Sequence, residues 1–127
     1  MKKEPLELLE IIAQTIYDKK GFNIFAMDVM GISSITDFIL ITEGNMEKHV
    51  VAIAESVQRE LKKFGERTVH AEGMHNGDWV VLDFVEIMVH IFMPGIREKY
   101  HLERLWSKGK IIDLDIDYEK SSEAGYS

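Results

Sequence analysis

The spacing of apolar residues changes several times along the chain, and each change marks a predicted element. Leu6, Leu9, Ile12, Ala13, Ile16 and Tyr17 recur at three- and four-residue intervals, as one face of an amphipathic helix does. Pro5 stands near its start and Gly21 just past its end, where helices favour those residues. Asn23 to Gly31 predicts a strand through Ile24, Phe25, Ala26, Met27, Val29 and Met30, and Gly31 with Ser33-Ser34 marks a turn. Asp37 to Thr42 is apolar almost throughout, the signature of a central strand buried on both faces. Glu43-Gly44-Asn45 interrupts it. Asn45 is expected to cap a helix running to Phe64, with Val50, Ile53, Ala54, Val57, Leu61 and Phe64 as its apolar stripe and Gly65 as its stop.

Arg67 to Glu72 predicts a short strand, and Asn76-Gly77 is a strong turn signal. Then come two runs rich in Val, Ile, Phe and Trp, Trp79 to Phe84 and Ile87 to Phe92, with Val85-Glu86 as the reversal between them. Pairing about that reversal sets Phe84 against Ile87, Leu82 against Val89 and Val80 against Ile91. These six share one wholly apolar face, because side chains alternate with period two. The other face carries Trp79, Val81, Asp83, Met88, His90 and Phe92. Such a mixture is either a second core face with a satisfied His–Asp pair or a contact surface. Gly95 to Trp106, after Pro94, predicts a helix with Ile96, Tyr100 and Glu103 on one stripe and Leu102, Leu105 and Trp106 on another. Ile111 to Ile116 is a candidate short edge strand, and residues 117–127 read as a flexible tail.

The order helix, strand, strand, helix, strand, strand, strand, helix predicts an α/β fold, a single mixed β-sheet packed with helices. The strand at Asp37 to Thr42 and the one after its helix are expected to be parallel through a right-handed crossover.

Length and charge narrow the function. A chain of 127 residues reads as a single domain, 1–127, with about 1–116 ordered. With no cysteine it can form neither disulfides nor thiolate metal sites. It shows no signal pattern and no apolar stretch near the roughly 20 residues of a membrane span, so a cytoplasmic location is expected. The net charge of −7 argues against charge-driven nucleic-acid binding and favours a basic partner. Seven Met residues suit either gap filling or an adaptable contact surface.

Catalytic patterns are incomplete. His49, His70, His75, His90 and His101 show no helical ligand spacing, and His70 and His75 make only a weak cluster around Glu72. Gly31-Ile32-Ser33-Ser34 before Asp37 resembles a Gly-Ser turn leading to an acidic strand, as two-metal phosphoryl transfer uses. The second carboxylate of such a pair should stand at position 39, which is Ile39; Asp83 could supply only a distant third. Ser33, Ser34, His90 and Asp83 supply triad residue types without a nucleophile elbow. No phosphate-binding glycine loop is present. No catalytic, cofactor or metal site is therefore expected; the alternative is a metal-dependent nucleotidyltransferase-like enzyme using Asp37 and Asp83.

Several motifs in sequence order are those of a known family. They are Asp28-Val29, Ser33-Ser34-Ile35-Thr36-Asp37-Phe38, Gly44, His49-Val50-Val51-Ala52-Ile53-Ala54-Glu55 and Glu72-Gly73. Trp79 to Phe84, Val89-His90-Ile91-Phe92, and Arg97, Tyr100, Leu102-Glu103 and Leu105-Trp106 follow. Together these make the chain resemble the ribosomal silencing factor (RsfS, or Iojap-like) family over all but its terminal tails. The resemblance implies a nucleotidyltransferase-like fold without the catalytic acids, and an adaptor, not an enzyme. It implies binding to the large ribosomal subunit through its L-fourteen protein, which blocks small-subunit joining and represses translation during nutrient limitation. Direct nucleic-acid contact would be small, and no cofactor is implied. Two departures stand out: Val85 where the family often has Gly in the hairpin turn, and Met46 where it often has Ser.

The resemblance tilts the mixed face toward a contact surface. Glu72, Trp79, Val81, Asp83, Met88, His90, Phe92, Arg97 and Tyr100 become the expected partner-binding set, since aromatics and Arg anchor interfaces. For Trp79, Phe92, Tyr100 and Trp106 the plain alternative is packing on the sheet. A homodimer of the unbound protein, its mixed face paired with itself, is the competing assembly.

Overall fold

A computed structural model describes residues 3–99 and 108–118. Six strands form one mixed sheet: β1 (Phe22–Asp28), β2 (Phe38–Glu43), β3 (His70–Glu72), β4 (Trp79–Asp83), β5 (Ile87–Phe92) and β6 (Lys110–Ile112). Their spatial order is β3-β4-β5-β2-β1-β6. β2 and β5 run parallel, and every other neighbouring pair is antiparallel. The helices are α1 (Pro5–Asp18), α2 (Glu47–Lys62) and a four-residue turn of helix, α3 (Ile96–Lys99). This is the α/β, mixed-sheet architecture that the apolar periodicity predicts. No described helix is long and apolar enough to cross a membrane.

The core explains the layering. Leu8, Leu9, Ile12, Ala13 and Ile16 of α1 and Val50, Ile53, Ala54, Val57 and Leu61 of α2 are buried. They pack with Leu40, Val80, Leu82, Ile87, Val89 and Ile91 on one face of the sheet. Each fully buried aliphatic side chain contributes roughly 1.5–3 kcal/mol, so this face anchors the fold. β2 is buried at all six positions, as its unbroken apolar run requires. Behind it, Met27, Val29, Ile39, Ile41 and Phe92 form a smaller cluster on the opposite face.

Several details differ from expectation. Leu6, placed on the helical stripe by spacing, is 54% exposed, and Leu8 is buried instead; Leu8 falls in line with Leu9, Ile12, Ala13 and Ile16, and Leu6 lies off that stripe. β1 ends at Asp28, because Met30 N–H bonds to the Asp28 carboxylate and the chain turns. α2 starts at Glu47, not after an Asn45 cap: Met46 is its N-cap and gives no side-chain bond. His49 instead orders the chain that enters the helix. Its Nδ1 accepts from the Asn45 N–H at 2.9 Å, while Nε2 lies 2.7 Å from the Lys19 carbonyl and donates to it. That single imidazole ties the end of α1 to the start of α2. β3 is three residues long, shorter than Arg67 to Glu72. It runs in the direction of β2 but is not its neighbour, since β5 and β4 lie between them. The parallel neighbour of β2 is β5, reached only after the β3–β4–β5 meander.

The predicted helix from Gly95 to Trp106 is described only through Lys99; Tyr100, Leu102, Glu103, Leu105 and Trp106 lie outside the described residues. Most of the expected tail also lies outside them. Its first residues dock on α1: the Asp117 N–H donates to Gln14 Oε1 at 2.7 Å, and the Tyr118 ring meets Tyr17 edge-on at 4.8 Å.

Candidate partner-binding face

Turn chemistry fixes the β4–β5 hairpin. The Asp83 carboxylate accepts the Val85 N–H at 2.8 Å, the Phe84 carbonyl accepts the Glu86 N–H at 3.1 Å, and the Phe84 N–H reaches the Ile87 carbonyl at 2.9 Å. Val85 sits at φ +78°. The resulting register sets Val80 against Ile91 and Leu82 against Val89, as alternation predicts. It therefore also fixes the mixed face, where Trp79 opposes Phe92, Val81 opposes His90 and Asp83 opposes Met88.

On that face three rings cluster in a triangle, with Trp79 and His90 centroids 6.2 Å apart. Trp79 and Phe92 have centroids 5.4 Å apart, and His90 and Phe92 lie 5.9 Å apart at 16°. The Trp79 indole N–H donates to His90 Nδ1 at 3.2 Å. The expected His–Asp pair is thus replaced by a His–Trp bond: Trp79 and Asp83 are both diagonal to His90, and the Asp83 carboxylate is engaged at the turn. Burial lowers the His90 pKa from its usual 6.5 to about 4, so the ring is neutral at physiological pH with Nδ1 as acceptor.

The nine predicted residues divide. Trp79, Val81, Asp83, Met88 and His90 are half-buried, and Glu72 is exposed on the edge strand opposite Val81. Glu72 also bonds His70 at 2.8 Å. Phe92 is 0% exposed; it supports the face from beneath. Arg97 lies in α3, and Tyr100 lies outside the described residues. Sequence reading missed the other half of this face. On β2 and β1 this side of the sheet continues through Ile39, Ile41 and Met27, which are buried with Phe92, and through half-buried Phe25; β6 adds Ile111, which pairs with Met27 and is 78% exposed. The apolar run of β2 was visible, but strand order was needed to place it beside Met88 and His90.

Both long helices pack on the other side of the sheet. On the side away from them, Phe92, Ile41 and Met27 are buried, and the β4–β5 margin presents the half-buried Trp79, Val81, Met88 and His90, with Glu72 and Asp83 along one border. That combination suits a protein partner with basic and apolar groups. It does not suit metal chemistry. Asp83 stands beside Met88 and Ile39 beyond that, so Asp37, two residues before Ile39, is separated from Asp83 by two strand spacings across the sheet and two residues along it, roughly 12 Å between Cα positions. Among the described residues, no three His, Asp or Glu side chains group to hold a metal ion.

Comparison with known proteins adds four findings. A family profile described as "Ribosomal silencing factor during starvation" matches residues 2–126. The "Ribosomal silencing factor RsfS" of Halalkalibacterium halodurans is 36% identical over 109 residues, covering 86% of this chain and 93% of that protein. The mouse protein "Mitochondrial assembly of ribosomal large subunit protein 1" is 26% identical over 102 residues, which cover 78% of this chain and 45% of the mouse protein. Among solved structures, a Chromobacterium violaceum protein superposes with a TM-score of 0.79 at 29% identity, covering 94% of this chain and 99% of that one.

Proposed function

The chain belongs to the ribosomal silencing factor family, and from that premise we propose that it is a non-catalytic blocker of the large ribosomal subunit. It binds through the subunit's L-fourteen protein, prevents small-subunit joining and represses translation in the cytoplasm when nutrients are short. The observation that carries this reading is the half-buried β4–β5 margin of the sheet, on the side away from the helical layer. Trp79, Val81, Met88 and His90 line a face that neither α1 nor α2 covers, bordered by Glu72 and Asp83.

The acidic balance of the chain, −7, supports a basic protein surface as the partner. The mouse relative's name ties that protein to the large subunit, which supports the choice of subunit. The separation of Asp37 from Asp83 supports an adaptor over an enzyme. Residues Glu72, Trp79, Val81, Asp83, Met88, His90, Arg97 and Tyr100 are assigned to the contact, with Phe92 as the buried support beneath it.

The test is co-sedimentation with purified large subunits, followed by light scattering as small subunits are added. Pelleting with the large subunit and a suppressed rise in scattering is the expected result. A protein that stays in the supernatant, or that pellets without affecting joining, overturns the proposal.

A further inference from the structure

The outer side of α2 carries a second feature, remote from the mixed face. Glu55, Gln58, Arg59 and Lys62 stand at successive turns of the helix, along one strip of its surface. The chain after α2 brings Arg67 and Thr68 against that strip, and the six residues line an open cleft of about 470 Å³. Gln58 Nε2 donates to Thr68 Oγ1 at 3.0 Å and fastens the two walls. Arg59 is held by its own bond to the buried hydroxyl of Ser56 at 3.2 Å.

The charge of this cleft runs against that of the molecule. Acids outnumber Lys and Arg by 22 to 15, yet Arg59, Lys62 and Arg67 meet here with only Glu55 opposing them. None of the three cations makes an ion pair among the described residues. Arg59 and Lys62 lie in the last turn of α2, where the helix dipole favours cations. That effect does not account for Arg67, which belongs to the following loop. Two guanidinium groups and an ammonium around a polar cleft are the donor set that binds phosphate oxygens.

We propose that this cleft binds a compact anion carrying two or more phosphates, such as the diphosphate group of a small metabolite. Its volume lies in the range of small-molecule sites. The surrounding negative charge disfavours a long polyanion, whose affinity depends on an extended cationic track. Gln58 and Thr68 supply neutral hydrogen bonds between the cationic groups.

The experiment is calorimetric titration of the full chain with pyrophosphate at constant ionic strength. The expected result is saturable one-to-one binding with Kd below about 1 mM. The double variant R59Q/R67Q, whose sites are exposed, should weaken it by at least about ten-fold. Lys62→Gln should weaken it by less than the double variant. Lys63→Gln should leave it unchanged, because Lys63 pairs with Glu60 outside the cleft. Absence of saturable heat, or equal weakening by Lys63→Gln, overturns the proposal. So does a single-stranded RNA of about 20 nucleotides that binds more tightly than pyrophosphate and is weakened by the same double variant. Large-subunit co-sedimentation reads the other face, so either proposal can fail without the other.

Discussion

The indole nitrogen of Trp79 donates to Nδ1 of His90 across the β4–β5 pair at 3.2 Å. The two residues are diagonal neighbours, since Trp79 directly opposes Phe92 and His90 opposes Val81. The bond requires an unprotonated Nδ1, which agrees with burial lowering the His90 pKa to about 4. In the unfolded chain the imidazole titrates near 6.5. Between those values the unfolded state binds the extra proton, so stability falls as pH drops from about 6.5 towards about 4 and is unaffected by His90 above that window. Urea denaturation should show the parent losing about 1–2 kcal/mol more than His90→Gln between pH 7 and pH 5, discounted for the ring's partial exposure. Equal pH dependence in the two proteins would remove the neutral-imidazole account.

Val85 is a β-branched residue at φ +78°. That conformation costs roughly 1–2 kcal/mol for a residue with a Cβ. The side chain is 57% exposed, so its removal forfeits little burial. Val85→Gly relieves the turn but gives the unfolded chain more freedom. The net effect should be a gain of about 0.5–1 kcal/mol, read as a higher denaturation midpoint. An unchanged or lower midpoint would mean that the turn is not strained.

Gly73 has the opposite sign. It sits at φ +83°, and a Cβ there would run into the Trp79 carbonyl oxygen. This is backbone against backbone at the entrance to β4, so no side-chain rotation relieves it. Gly73→Ala should cost more than about 2 kcal/mol and should disturb the Trp79 ring, visible as a shifted fluorescence maximum. A variant with the parent's stability and fluorescence would show that Gly73 does not set the position of Trp79.

The hairpin was legible in the sequence because period-two alternation and a two-residue reversal leave one register that buries all six apolar side chains. The full burial of β2 was legible for a similar reason. What escaped was non-local. Nothing in the run from Phe38 to Glu43 states that its parallel neighbour is β5 and not the strand next in sequence. The partner of His90 escaped too: alternation put Asp83, Trp79 and His90 on one face, but the Asp83 carboxylate is taken by the Val85 N–H. The Asn45 cap failed because the helix begins one residue too late, with Met46 as its N-cap; the bond from the Asn45 N–H to His49 is a contact that simple cap preferences do not encode. The cleft beside α2 depends on where the loop returns, so Arg67 gave no sign of its company with Arg59.

Glu72 offers the cleanest test of the partner-binding face. It is exposed on the edge strand and opposes Val81, so its replacement opens no cavity. Its contact with His70 is also exposed, and Glu72→Lys should change stability by no more than about 0.5 kcal/mol. If a basic partner docks on the mixed face, the new cation meets like charge at the rim. Co-sedimentation with large subunits should then weaken about five- to ten-fold at low salt, with the deficit shrinking as salt rises. Glu7→Lys makes the same charge change on α1, where Glu7 pairs with Lys3, behind the sheet. It should bind like the parent. Equal weakening in both variants would mean that net charge alone governs association. No weakening in either would take Glu72, and with it the β3 border, out of the contact.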